Sequence, residues 1–294
     1  MKSCLIPAFL LLCVNLSFGQ TTPTGKLLID DVTILTGFAA EAGIPVNFSD
    51  FQRLAPESDL LRGDYSEFRQ RSGSANPFGG AFSVLLGLRF RESNGENYRS
   101  NPRLRLGVSY VSSTMLSHSY FQSTTTPYDT LTSSATGEMI FVDSVNNKNL
   151  NMDYQYQQIR LDVSLIFSTN PASRWSLYGG LGVSSGLSVN ASSEIAYSEY
   201  DQTSRNDYFR DNTYFSDDEY IQESFQNETN FSTMVYVPLG VDFRLGKNRP
   251  FWKQLHLVYE LRPMVQFTNI PELGNYSNVG INSMFGLRVK WNEI

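Results

Sequence analysis

QIRLDVSLIF, residues 158–167, decides the fold. Ile159, Leu161, Val163, Leu165 and Phe167 fall on one side of an extended chain, and Gln158, Arg160, Asp162, Ser164 and Ile166 on the other. Successive side chains of a β-strand point to opposite faces. The segment is therefore a strand with one apolar face and one mostly polar face that includes an arginine and an aspartate.

The same period recurs on both sides of it. FSVLLGLRFR (82–91) sets Phe82, Val84, Leu86 and Leu88 against Ser83, Gly87 and Arg89. RLRLGVSY (103–110) sets Leu104, Leu106, Val108 and Tyr110 against Arg103, Arg105, Gly107 and Ser109. WSLYGGLGVSSGLSV (175–189), VYVPLGVDFRL (235–245), LHLVYELRPMVQF (255–267) and INSMFGLRVKW (281–291) follow suit, and DVTILTGFAAEA (31–42) is a weaker first strand. Eight strands are expected, near 31–42, 79–92, 102–116, 153–168, 174–190, 231–246, 254–268 and 280–292. An extension of the third, fourth and fifth beyond a membrane is left open. Pro238 and Pro263 interrupt the sixth and seventh strands at about the same level of their hairpin, and each lacks a ladder donor, so irregular pairing is expected there.

The chemistry of the two faces chooses between a soluble β-sandwich or barrel and a membrane barrel. One face is Leu, Val, Ile, Phe and Trp. The other is Gly and Ser with Arg89, Arg103, Arg105, Arg160, Arg244, Arg262 and Arg288 set against Glu41, Asp162, Asp242 and Glu260. Arginine rather than lysine suits an enclosed network, because its planar fork takes a carboxylate bidentately. The expected fold is all-β: a closed antiparallel transmembrane β-barrel with lipid outside and these charges in the lumen. Phe90, Phe167, Trp175, Phe243 and Trp291 fall at one end of their strands, with Trp252 in the adjoining turn, as an aromatic girdle would.

The connections agree. Turns near 92–101, 169–173 and 246–253 are short, whereas 43–78, 117–152 and 191–230 are long and read as outer loops; only the fourth outer connection, NIPELGNYSNV (269–279), is short. Residues 1–19 read as a secretory signal peptide: Lys2, an apolar run from Cys4 to Val14, and small Ser17 and Gly19 before cleavage at Gln20. Residues 20–294 are the barrel domain. Both cysteines, Cys4 and Cys13, lie in that signal, so the mature chain is expected to lack disulfides and thiolate sites.

The SFGQ junction, VYVPLGVDFRLG, WSLYGGLGVSSGLSV and the closing GLRVKW resemble the outer-membrane β-barrel family common in Bacteroidota, with OmpX-like small barrels as wider relatives. The resemblance implies location and architecture more than activity. Some members resemble accessory barrels of type IX secretion or gliding. Such barrels commonly finish on an aromatic residue, whereas here Trp291 is followed by Asn292, Glu293 and Ile294.

Signs of catalysis are sparse. A Ser–His–acid site needs a histidine, and the chain has two. His118, between Ser117 and Ser119, is the candidate for a lipid-deacylating site. His256 is expected to join the lumen network near Glu260. No zinc spacing, phosphate loop or dinucleotide fingerprint occurs, and no cofactor is expected. SDDEY (216–220) lacks the spacing of a calcium loop. The third outer connection is more telling. From Asn190 to Thr229 it holds ten acids and two arginines, 2 − 10 = −8, while loss of Lys2 with the signal takes the chain from −6 to −7. Tyr208, Phe209, Tyr214, Phe215, Asp217, Asp218, Glu219 and Tyr220 form a candidate partner-binding loop, since tyrosines supply contact area and acids select cationic partners. That charge argues against nucleic acid. The function expected is a non-enzymatic outer-membrane barrel, in contact with outer-membrane lipid, that presents binding loops or supports an envelope complex. A lipid-modifying enzyme using His118 and a narrow transporter are the alternatives.

Overall fold

The computed structural model describes residues 27–71, 78–90, 102–132, 134–137, 139–169, 173–205, 215–246 and 249–290. Residues 1–19, expected to be a signal peptide, both cysteines and Trp291 lie outside them. Eleven strands are described: β1 (Leu27–Glu41), β2 (Arg69–Gln70), β3 (Phe78–Phe90), β4 (Arg103–Thr132), β5 (Met139–Ser168), β6 (Trp175–Arg205), β7 (Phe215–Gln226), β8 (Phe231–Tyr236), β9 (Leu239–Arg244), β10 (Leu255–Ile270) and β11 (Gly274–Lys290). Two short α-helices, α1 (Phe48–Leu54) and α2 (Pro250–Gln254), and a 3-10 turn at Leu60–Arg62 lie between them.

Eight ring positions close a barrel, every pairing antiparallel. The order is β11, β1, β3, β4, β5, β6, then β8 with β9 as one interrupted strand, then β10, which pairs back to β11. The interruption falls at Val237 and Pro238, where irregular pairing was expected. Val237 N–H still donates to Pro263 O at 3.0 Å. The two prolines thus share one gap in the ladder.

β4, β5 and β6 run for 30, 30 and 31 residues, against 13 for β3. They outrun the ring and, with β7 paired on β6, form a four-stranded extension at its distal end. This corrects the assignment of 117–152 and 191–230 to loops: most of both is strand. Stretches such as QSTTT (122–126) and NNKN (146–149) are polar on both faces, so they lack the apolar period by which the ring strands are found.

Around the ring most apolar side chains point outward, although Leu35, Leu85, Ile166 and Val258 are buried within. Ile159, Leu161, Val163, Leu165 and Phe167 are exposed, while Gln158, Arg160, Asp162 and Ser164 between them are buried. Ile34, Val84, Val108, Leu177, Val235, Leu257, Tyr259 and Leu287 continue the exposed belt. A soluble barrel would show the reverse. At the proximal end, where β1 begins and β11 ends, Phe167, Trp175, Phe251 and Trp252 are exposed, and Trp175 packs on Phe243 with ring centroids 4.3 Å apart.

Residues 42–71 pack against inward residues of the strands at the distal end. Asn47 N–H donates to Asp50 Oδ2 at 2.9 Å at the start of α1. The helix buries Phe51 and Leu54, and Leu61 follows them. They pack on Leu150, Met152, Tyr154, Ile195 and Ile270, which are inward residues of the surrounding strands. Asn227 Nδ2 donates to Leu54 O at 2.7 Å, Gln122 Nε2 to Glu67 Oε2 at 2.8 Å, and Ser58 Oγ to Glu223. β2 pairs with β4, Arg69 opposite Phe121.

Candidate functional site

The interior is layered. Proximally, β1 bulges between Ile29 and Asp31, so Asp30 and Asp31 both turn inward and are buried. Arg89 reaches Asp30 at 3.1 Å, and Arg103 reaches Asp31 at 2.7 Å and Asp30 at 3.5 Å. Arg288 pairs with Asp242 and lies 3.5 Å from Asp31. His256 Nδ1 is 2.5 Å from Asp242 rather than beside Glu260, and Lys290 Nζ is 4.0 Å from the same aspartate. Strict alternation admits one acid at 30–31, so Asp30 and Asp31 were missed; Lys290 was seen on the inner face but not as a partner.

The next layer is the most enclosed. Arg105 grips Glu260 bidentately, at 2.7 and 3.1 Å. Arg262 Nε donates to the same carboxylate at 2.5 Å, and Arg262 approaches Asp162 at 3.5 Å. Tyr178 OH donates to Glu260 at 2.6 Å and Tyr236 OH to Asp162 at 2.5 Å. Each tyrosine lies flat across a glycine of the neighbouring strand: a Cβ on Gly240 would stand 2.2 Å from the Tyr178 ring, and one on Gly182 would stand 2.3 Å from the Tyr236 ring. The guanidinium carbons of Arg105 and Arg288 lie 5.8 and 5.2 Å from the Tyr178 centroid, and that of Arg262 lies 5.0 Å from that of Tyr236. Tyrosine–glycine pairs across strands would have been the sequence signal for these two residues.

Of the lumen residues expected to form a network, Arg89, Arg103, Arg105, Asp162, Asp242, Glu260, Arg262 and Arg288 are brought into ion pairs. Arg244 is half-buried on β9 and donates its backbone N–H to Arg174 O. Arg160 stands apart in a third layer of neutral polar groups. Its Nε donates to Gln158 Oε1 at 2.8 Å, Ser232 Oγ donates to the same oxygen at 2.6 Å, and Gln158 Nε2 donates to Asn230. Glu41 lies at the rim of this layer, held by Asn278 Nδ2 at 2.6 Å. Above it begins the apolar packing of the 42–71 segment.

Beyond the ring the sheet keeps its inward face but exchanges its chemistry. A bulge at Met115–Leu116 in β4 and one at Val189 in β6 shift the phase of those strands. His118 is thereby turned inward and buried, its ring 4.8 Å from that of Tyr120, and burial lowers its pKa. Its register partner is Met152. Ser117 instead bonds Asp153 on the opposite face, and burial raises the pKa of that aspartate. The histidine, serine and acid are therefore not assembled into a triad, and no acid bonds His118 among the described residues.

The acidic segment also differs from the loop expected. Tyr208, Phe209 and Tyr214 lie outside the described residues. Phe215, Asp217, Asp218, Glu219 and Tyr220 belong to β7, of which Glu219 and Tyr220 are exposed. Glu219 sits directly opposite Glu199 of β6. Tyr197 OH donates to Glu199 at 2.6 Å, Asn146 Nδ2 donates to Glu199 at 2.9 Å and to Asp201 at 2.8 Å, and Lys148 Nζ is 3.2 Å from Glu199. The hydrogen bonds of Tyr197 and Asn146 hold the Glu199 carboxyl below its ordinary pKa. Burial, followed by the glutamate, raises that of Tyr197. Among the described residues β7 pairs with β6 alone, which leaves main-chain groups on its far edge for other partners.

No protein-family model matches the chain, and no curated protein matches it. Among solved structures it is similar to Neisserial surface protein A, with 12% identity and a TM-score of 0.31 over 89% of this chain and 97% of that one. It is also similar to Ail, the attachment invasion locus protein of Yersinia pestis, with 13% identity and a TM-score of 0.26 over 90% and 100%. OprG of Pseudomonas aeruginosa shows 14% identity and a TM-score of 0.25 over 90% and 96%. These scores are low, and the eight-stranded ring stands on its own hydrogen bonding.

Proposed function

We propose that the chain is a non-enzymatic outer-membrane barrel that holds an acidic β-sheet above the bilayer to bind a cationic protein surface. The observation that carries this reading is the change of chemistry along single strands. In β5 the outward residues are Ile159 to Phe167 at the ring, whereas just beyond it Asn151 and Gln155 are the exposed ones, with Met139 and Phe141 exposed only at the far tip. A sheet that is greasy outside at one level and polar outside at the next fits lipid below and water above. The strands continue past the lipid with their own packed core, so the acids of β6 and β7 ride on a rigid support rather than on a mobile loop.

The lumen serves the same role by staying shut. Ion pairs in one half of the interior and the 42–71 segment in the other support this reading, and an eight-stranded barrel has little more room than its side chains require. Purified full-length protein in planar bilayers is expected to show no sustained conductance. Stable channels would replace this reading with that of a transporter.

Crosslinking in intact cells tests the binding face. A photo-crosslinker at Tyr220 is expected to capture an extracellular protein whose contact surface is basic, and capture is expected to fall in high salt. Crosslinks arising only from periplasmic turns to secretion machinery would overturn it in favour of an accessory role in the envelope.

A further inference from the structure

One sector of the proximal rim is basic. The ends of β6, β9 and β10 lie side by side there: Arg244 N–H donates to Arg174 O at 2.9 Å, Leu245 N–H to Leu255 O at 3.0 Å and Gly246 N–H to Trp252 O at 2.8 Å. Arg174 and Arg249 are exposed, and Lys253 is half-buried in α2. Among the described residues none of these three side chains has an ion-pair partner. The two stretches that hold them, 168–175 and 245–257, contain no acid. The sector of β1, β3 and β4 differs, because Arg89 and Arg103 there meet Asp30 and Asp31.

The aromatic neighbours of these cations fix their level. The guanidinium carbon of Arg174 stands 4.9 Å from the centroid of Phe243. Phe243 shares its face with its register partners Trp175 and Leu257, both exposed on the outside of the ring. Arg174 is thus held against the proximal edge of the apolar belt instead of turning into the lumen. Trp252 is seated on Gly246, where an added Cβ would stand 2.1 Å from that of the tryptophan. The rings of Phe251 and Trp252, both exposed, meet edge to face at 5.4 Å. Amphipathic rings at the edge of an apolar belt suit the interfacial level of a bilayer. Guanidinium and ammonium groups at that level meet lipid phosphates.

We propose that Arg174, Arg249 and Lys253 form a docking surface for the headgroup of an anionic phospholipid, of the phosphatidylglycerol class, in the leaflet at the proximal end. The inference rests on the reading of the apolar belt as embedded in a bilayer. Charge decides the occupant. A zwitterionic headgroup carries a cation of its own, which a basic sector without acids repels. A phosphatidylglycerol headgroup leaves its full negative charge to the protein. A second copy docking through the same sector about a two-fold axis would set cation against cation.

Trp175 and Trp252 report the site. With Trp291→Phe they are the only tryptophans of the full chain. That protein is inserted into phosphatidylcholine vesicles containing a rising fraction of brominated phosphatidylglycerol or brominated phosphatidylcholine, and quenching of tryptophan fluorescence is measured. The brominated phosphatidylglycerol is expected to bind about five-fold more tightly at low salt, the attraction of one basic residue for anionic lipid. High salt should reduce that preference. Arg174→Gln combined with Lys253→Gln is expected to insert equally well and to lose the preference. If Trp291→Phe does not insert, the chain with all three tryptophans carries the same comparison. Insertion with equal quenching by the two lipids, or a preference undiminished by the double substitution, would overturn the docking surface alone. Failure of the unaltered chain to enter either kind of vesicle would overturn the bilayer reading and the surface with it.

Discussion

Leu161 and Met152 lie on the same strand, nine residues apart, and face opposite ways. Leu161 is 68% exposed on the outside of the ring, whereas Met152 is wholly buried inside the extension. Their neighbours complete the inversion: inside the ring lies Asp162, and outside the extension lie Asn151 and Gln155. One strand therefore solves two burial problems. At the ring the surroundings accept apolar surface, so charges are gathered within and must satisfy one another. In the extension the surroundings are water, so the apolar residues turn in and need the 42–71 segment to complete a core. The lesson is that strand geometry is indifferent to which face is greasy, and the solvent at each level selects it.

The sharpest way to break the contrast is to remove a charge from the ring. Glu260 serves Arg105, Arg262 and Tyr178 at once. Glu260→Ala is expected to cost about 3–5 kcal/mol of barrel stability, since it leaves two buried guanidinium groups short of their carboxylate. Urea unfolding of the micelle-bound protein measures it. In the extension the equivalent injury is apolar: Leu54→Ala should cost about 2–5 kcal/mol. That loss is expected to appear as protease sensitivity within 42–71 while the ring stays folded.

An outward arginine reads the solvent directly. Leu161→Arg is expected to destabilise the inserted barrel by about 2–4 kcal/mol, the cost of a lipid-facing cation near mid-depth. Phe141→Arg, on an exposed position near the tip of β5, should stay within about 0.5 kcal/mol. Equal costs at the two positions would abolish the distinction between the levels. Gly240→Val tests the ring interior on a finer scale. It would drive a side chain into the Tyr178 ring, and a loss of about 1–3 kcal/mol is expected.

What was legible in the sequence follows the same division. The ring strands are legible because apolar surroundings on one side and a polar interior on the other impose alternation, as in Ile159 to Phe167. The membership of Arg105, Glu260 and Arg262 in one lumen was readable from parity, but their pairing was not, because partners such as Arg105 and Glu260 come from strands that are not neighbours. Parity failed at bulges. Asp30 and Asp31 cannot both face inward on a regular strand, and the phase shift at Met115–Leu116 set the direction of His118. The extension of the third, fourth and fifth strands is open in the sequence but its length is not legible, because stretches such as 122–126 and 146–149 are polar on both faces. The segment 42–71 offered one seven-residue helix, too short for a periodic signal. Its apolar residues have meaning only once β4, β5 and β6 stand around them.

The smallest expected effect belongs to the acids of the extension. Glu199 is opposite Glu219 and is held by Tyr197, Asn146 and Lys148. Its pKa is lowered in the folded chain, chiefly by the Tyr197 hydrogen bond. A depressed carboxylate contributes stability above its unfolded pKa and loses it as pH falls through the folded value. The extension should therefore loosen slightly as pH drops below the ordinary glutamate range near 4.5. Tyr197→Phe removes the hydroxyl and should flatten that dependence while leaving the acid stability of the ring unchanged. The measurement is hydrogen exchange of β6 and β7 amides against pH, with β10 amides as the internal reference. The ring should not follow in that window, because Glu260 and Asp242 are enclosed with their arginines, whereas Glu199 remains within reach of water. A Tyr197→Phe protein whose β6 and β7 amides keep the original pH profile would show that this hydrogen bond contributes nothing to holding the acidic face.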